Sequence, residues 1–180
     1  ATFTLTTFKE DGSILSSSNG FFISADGVCV SPWKPFIGAS RAVVIDNKGQ
    51  KHNVESLMGA NGIYDIVKFQ IQSSTTPAAL ATNVTANSNA WIVTTSKSNQ
   101  PAKATVTKVE KFMDKYNYSV LTTDVDDKLN GAIVANDKGQ VIGLYSSNNS
   151  IKSATDAAFA RDFVISGLSQ NDLTLRECAI

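Results

Sequence analysis

The 180-residue sequence has one histidine, two cysteines, two tryptophans and four prolines, and sixteen basic residues balance sixteen acidic ones. A zinc or other soft-metal site needs more histidine and cysteine than this, so no metal and no cofactor is expected. A formal net charge of zero gives nucleic acid or an anionic membrane no electrostatic handle, and neither is expected as a partner. No apolar run approaches the roughly 18 residues of a membrane span. The N-terminus Ala1-Thr2-Phe3-Thr4 lacks the charged and apolar regions of a leader, so any signal peptide is taken to have been removed. Cys29 and Cys178 could pair across the chain, but Cys29 lies in a short apolar run where a small buried thiol is the commoner outcome.

Short apolar runs separated by turn signals fill the sequence and predict an all-β chain. Thr2–Phe8 alternates, and Asp11-Gly12 turns into a second strand over Ile14–Ser24. Val28–Val30 is short, and Pro32 and Pro35 exclude strand or helix from the loop that follows. Ala42–Ile45, a turn at Asp46-Asn47-Lys48-Gly49, Lys51–Gly59 and Asp65–Ile71 complete a first set of six. The polar run Ser73-Ser74-Thr75-Thr76-Pro77 reads as a linker. A second set follows at Ala90–Thr95, Ala104–Lys111, Tyr118–Thr122, Gly131–Ala135, Val141–Ser147 and Ala157–Phe159, then one or two helical turns over Arg161–Leu168. Six strands with hairpin turns suffice to close a small barrel. The expected organisation is two six-stranded antiparallel β-barrels, residues 1–73 and 78–165, with a tail at 166–180, together forming one domain.

Three segments carry a family likeness. Ser18-Asn19-Gly20-Phe21-Phe22-Ile23-Ser24-Ala25-Asp26-Gly27 is similar to G-x-G-F-[IV]-I-[ST]-x-[DN]-G. Tyr64-Asp65-Ile66-Val67-Lys68-Phe69-Gln70-Ile71 is similar to D-[LI]-A-[VL]-[LI]-[KR]. Asn130-Gly131-Ala132-Ile133-Val134, with Lys138-Gly139-Gln140-Val141-Ile142-Gly143 after it, is similar to S-G-G-P-[LV]…G-x-[VL]-[IV]-G. Together they resemble the trypsin-like serine proteases of the bacterial Deg/HtrA kind over about residues 14–165, strongly at the motifs and weakly between them.

That resemblance implies a double β-barrel with the triad split between barrels, and it places Asp65 on the catalytic aspartate. The loop that should carry the histidine is Val30-Ser31-Pro32-Trp33-Lys34-Pro35-Phe36, which contains none; Lys34 takes that place and Asn130 takes the nucleophile's. The implied triad is Lys34, Asp65 and Asn130. A serine hydroxyl attacks an amide only when an imidazole removes its proton and returns it to the leaving amine. In a serine protease of unrelated fold, losing either group costs on the order of 10⁶ in kcat. The resemblance also places Lys128, Leu129 and Gly131 on the oxyanion loop, where Lys128 replaces a glycine that turns a backbone N–H inward.

His52, the sole histidine, lies thirteen positions before Asp65 and Lys34 thirty-one; the family separation matches Lys34, and His52 reads as a solvated strand residue. Trp33 and Phe36 read as loop anchors packed on the barrel, with an exposed aromatic patch that makes cleft contacts as the alternative. Ser31-Pro32-Trp33-Lys34 fits S-x-x-K, but in a proline-broken loop and not at a helix start. Asp124-Val125-Asp126-Asp127 lacks the calcium-loop pattern D-x-D-x-D-G. The resemblance therefore implies a secreted or periplasmic bacterial pseudoprotease that binds a peptide or protein partner or packs on other domains of the same chain. Two alternatives stand beside it: an active serine endopeptidase with its catalytic residues misassigned, and a structural spacer.

Overall fold

Alternating burial starts at the first strand. In β1 (Thr2–Phe8), Phe3, Leu5 and Thr7 are buried while the residues between them are partly exposed, because successive side chains of a strand point to opposite faces. The structure is a computed structural model that describes residues 2–54, 56–61, 66–81, 84–93, 102–112, 116–122, 132–148, 151–156 and 173–174. The chain divides into two compact units, Ala1–Ala78 with Asp162–Ile180, and Ala79–Arg161.

The first unit continues with β2 (Ile14–Phe22), β3 (Val28–Ser31), a 3-10 turn at Lys34–Phe36, β4 (Arg41–Ile45), β5 (Lys51–Asn53), β6 (Ser56–Asn61) and β7 (Ile66–Gln70). All pair antiparallel, in the order β6-β7-β3-β2-β1-β4-β5. The ends of that order, β5 and β6, are separated in the chain by Val54 and Glu55 alone. The three Cα–Cα steps from Asn53 to Ser56 span at most about 11 Å, so the sheet curls to bring the two ends of its order near each other. The core of this unit is Phe3, Leu5, Phe22, Cys29, Phe36, Val44, Leu57, Val67, Phe69 and their neighbours. Phe3 sits 5.1 Å from Phe22 and 6.0 Å from Phe69, centroid to centroid. Each such large side chain contributes about 1.5–3 kcal/mol on burial.

The second unit is a closed six-stranded barrel of β8 (Ser88–Val93), β9 (Ala102–Phe112), β10 (Tyr116–Thr122), β11 (Ile133–Ala135), β12 (Val141–Asn148) and β13 (Ile151–Asp156), ordered β10-β13-β12-β11-β8-β9. Ile92, Val106, Leu121, Val134, Ile142 and Tyr145 lead its core. The strand path is the same as in the first unit, with β5 and β6 together standing where β12 stands. The corresponding hairpins even share their turn. In Asp46–Gln50 and in Asn136–Gln140, the first side chain's Oδ1 accepts from the backbone N–H groups two and four residues on, at 2.9–3.0 Å. The glycines, Gly49 and Gly139, take φ of 81° and 77°.

Four differences from the sequence-based expectation have physical causes. The single strand expected over Lys51–Gly59 is two, because the chain changes ladder partner at Val54–Glu55. The sixth strand of the second barrel is Ile151–Asp156; Ala157–Phe159 and the helical turn at Arg161–Leu168 lie outside the described residues. The tail is not separate: β14 (Leu173–Thr174) joins the first unit's sheet by antiparallel pairing with Leu57 and Ser56 of β6. The first unit thus has seven strands of its own and an eighth from the tail, where six were expected. The Ser/Thr run is not a loose linker either. Thr75 accepts from the Gly27 N–H and donates to the Ser24 carbonyl, which straps the run to the β2–β3 turn.

Candidate functional site

The end of β3 and the start of β7 lie side by side, since Ser31 pairs with Val67 and Val30 with Lys68. From there Pro32 leads into the Lys34–Phe36 turn, closed by Phe36 N–H to Trp33 O at 2.9 Å and Ile37 N–H to Lys34 O at 3.1 Å. The expectation that Pro35 forbids any helix here is corrected: proline stands in the first positions of the turn, where its missing N–H would have had no partner anyway. Thr7 Oγ1 donates to Pro35 O at 2.8 Å and ties the turn to β1.

The turn sorts its side chains cleanly. Phe36 is fully buried, 5.7 Å from the Phe69 ring and stacked at 6.3 Å on Trp33. It is a core anchor, as the packing reading expects, and the alternative of a cleft contact falls for this residue. Trp33 is partly buried and packs on the same core. Lys34 and Ile37 are exposed. Ser31 is buried and its hydroxyl donates to Pro32 O at 3.1 Å, so the S-x-x-K spacing does not present a free serine. Of the implied triad only Lys34 lies among the described residues; Asp65, Asn130, Lys128, Leu129 and Gly131 lie outside them, as does the acidic run at 124–127.

Two other arrangements near these strands have clear causes. Gly27, which ends the first motif, has φ of 92°, and a Cβ there would stand 2.2 Å from the Ile71 carbonyl oxygen. Ser24 bonds Asp26 and accepts from Val28 N–H. The motif's serine and glycine are therefore turn-building residues. His52 is not a solvated strand residue: its Nε2 lies 3.0 Å from Asp46 Oδ2, with both side chains largely covered. Partial burial raises the Asp46 carboxyl, but the His52 hydrogen bond, the Gln50 and Lys48 N–H groups and the nearby imidazole outweigh it, so Asp46 sits below the usual range. By sequence, His52 is set only against Asp65; the place of Asp46 in the hairpin turn six residues earlier was a usable signal for this pairing.

In the second unit the matching hairpin borders a polar cavity of about 270 Å³. Asp137 accepts there from Trp91 Nε1 at 2.8 Å and Asn89 Nδ2 at 3.3 Å. Nothing in the sequence analysis singled these residues out.

No family model matches the sequence, and no curated protein matches it. Among solved structures, the chain is similar to the HtrA-type protease AlgW with a tripeptide, at 14% identity and TM-score 0.73, over 90% of this chain and 58% of that one. The fold is that of the HtrA-type serine proteases. A serine endoprotease from Yersinia pestis is similar to the same degree, with 14% identity, TM-score 0.73, and coverage of 89% and 60%. The chain thus spans about three fifths of the length of these HtrA-type structures.

Proposed function

We propose that this chain is a catalytically inactive trypsin-like domain that binds a peptide or a partner protein. The observation that carries the reading is the position of the sole histidine. His52 lies in β5, opposite Val44 of β4, and is engaged by Asp46 of its own hairpin. The strand that Asp65 precedes is β7. Acyl transfer in this fold needs an imidazole between aspartate and nucleophile, and no second histidine is present in the sequence to supply it. Lys34 in the base's place carries no imidazole, and Asn130 in the nucleophile's place carries no hydroxyl or thiol.

A peptide is the ligand class the comparison suggests, since one similar structure was solved with a tripeptide. A secreted or periplasmic location belongs to the same reading; among the described residues no helix is long and apolar enough to cross a membrane. The test is hydrolysis of casein and of generic peptide substrates by the pure chain. The reading expects no turnover above buffer. Turnover that disappears in His52→Ala would replace it with an active endopeptidase built on other residues.

A further inference from the structure

The two units carry the same hairpin with aspartate and asparagine exchanged. The first reads Asp46-Asn47-Lys48-Gly49-Gln50 and the second Asn136-Asp137-Lys138-Gly139-Gln140. In each, the first residue's Oδ1 builds the turn by accepting two backbone N–H groups. In the first unit that residue is the aspartate, and its other oxygen meets His52. In the second an asparagine builds the turn, so the carboxylate stands one place further on, where the turn makes no use of it.

Asp137 is exposed, yet its carboxylate is held from outside its own hairpin. β8 runs beside β11 with Trp91 opposite Ala135. Alternation along β8 buries Ala90 and Ile92 and puts Asn89 and Trp91 on its outer face. From there Trp91 Nε1 donates to Asp137 Oδ1 at 2.8 Å and Asn89 Nδ2 donates to Oδ2 at 3.3 Å. Two neutral donors thus orient a surface carboxylate, as the supporting groups of a binding site do.

The carboxylate stands on the wall of the cavity of about 270 Å³. The cavity beside the first unit's hairpin holds about 130 Å³, and there the Ser73–Thr76 run forms part of the wall. At about 30 Å³ of liquid per water, the larger cavity has the room of roughly nine waters. That is too much for a single ion and enough for one six-membered ring with its substituents. Asp137 and Lys138 are the charged residues of its lining, and their charges cancel, which favours neither an anion nor a cation. Gln140 Oε1 accepts from Asn136 Nδ2 at 3.0 Å. The Gln140 Nε2 protons, Asn89 Oδ1 and the Thr85 hydroxyl have no partner among the described residues. Donors and acceptors are offered together, and a hydroxyl is the ligand group that uses both at once. Val84 and Ile142 add an apolar wall for the C–H face of a ring.

We propose that this cavity binds a neutral saccharide through one sugar ring. Adjacent ring hydroxyls donate to the Asp137 carboxylate and accept from Gln140 Nε2. The site lies wholly in the second unit and does not depend on whether the chain hydrolyses peptides.

The test titrates the intact, isotopically labelled chain with the methyl glycosides of glucose, galactose, mannose and N-acetylglucosamine, followed by NMR. The Trp91 indole N–H and the amides of residues 136–140 are expected to shift saturably with at least one of them. The Trp33 indole N–H, in the first unit, is the internal control and is expected to stay. The dissociation constant should be on the order of millimolar, as a neutral ligand of about a dozen non-hydrogen atoms gives. Asp137→Asn keeps the shape and removes the charged acceptor, and should weaken the same binding about tenfold or more. Thr85→Val removes a hydroxyl that bonds no other described residue; it should weaken binding severalfold, and it serves as the test where Asp137→Asn does not fold. No saturable shift with any of the glycosides, shifts confined to the first unit, or unchanged binding in the folded variants would overturn the proposal. Tighter binding of glycine than of every glycoside would overturn it in favour of a zwitterion held by Asp137 and Lys138.

Discussion

His52 Nε2 stands 3.0 Å from Asp46 Oδ2, with side-chain exposures of 16% and 13%. The pair joins the turn residue of the β4–β5 hairpin to the strand that returns from it, and Asp46 Oδ1 meanwhile accepts from Lys48 and Gln50 N–H. Removing the imidazole leaves a covered carboxylate one partner short, at a cost of about 1–2 kcal/mol. His52→Ala should therefore unfold at a lower urea concentration than the native chain at pH 7.

The same pair sets a pH dependence whose sign follows from Asp46. Its folded pKa is depressed, so the unfolded chain binds the proton more readily. The stabilisation is fully present above the ordinary carboxylate value of about 3.9 and is lost as pH falls through Asp46's own lower value. Urea midpoints measured from pH 7 down to 3 should show the native chain ahead of Asp46→Asn at neutral pH, with the gap narrowing below pH about 4. A gap that widens on acidification contradicts the assignment.

Glycine substitutions should divide by what surrounds them. At Gly27 an added Cβ meets the Ile71 carbonyl oxygen at 2.2 Å, and at Gly20 it meets both the Phe3 ring and the Val30 oxygen at 2.3 Å. Backbone cannot step aside cheaply, so Gly27→Ala should cost several kcal/mol, well beyond the ~1 kcal/mol expected from conformation alone. Gly49→Ala, with positive φ but nothing within 4 Å, should cost only about that conformational amount. Thermal melts of the two variants side by side give the comparison.

Ser18 offers the opposite sign. Its hydroxyl is buried on β2, where Ser18 pairs with Leu5, and it has no hydrogen-bond partner among the described residues. Burying an unsatisfied hydroxyl costs about 1–3 kcal/mol. Ser18→Ala should leave the urea midpoint unchanged or raise it; a clear fall would mean the hydroxyl has a partner.

The strands were legible where the signal is local. Thr2–Phe8 alternates, and Asp46-Asn47-Lys48-Gly49 is a turn because an Asx side chain and a glycine at positive φ build it. The features that escaped depend on contacts far along the chain. Thr75 is held by Ser24 and Gly27, some fifty positions earlier, so its polar neighbours look like a linker. Leu173 finds β6 across more than a hundred residues, and a two-residue strand has no periodicity to read. At the site, Phe36 carried a local ambiguity, aromatic in a loop, that only its contact with Phe69 resolves. His52 was misread as solvated because the covering of a strand by its own hairpin turn is not written in an alternation pattern.

Reaction of the intact chain with a fluorophosphonate probe, followed by intact-mass measurement, tests the central claim most directly. The account predicts no adduct under conditions that label trypsin stoichiometrically, with His52→Ala equally unlabelled. One adduct per chain, mapped to a serine and abolished by His52→Ala, would contradict it.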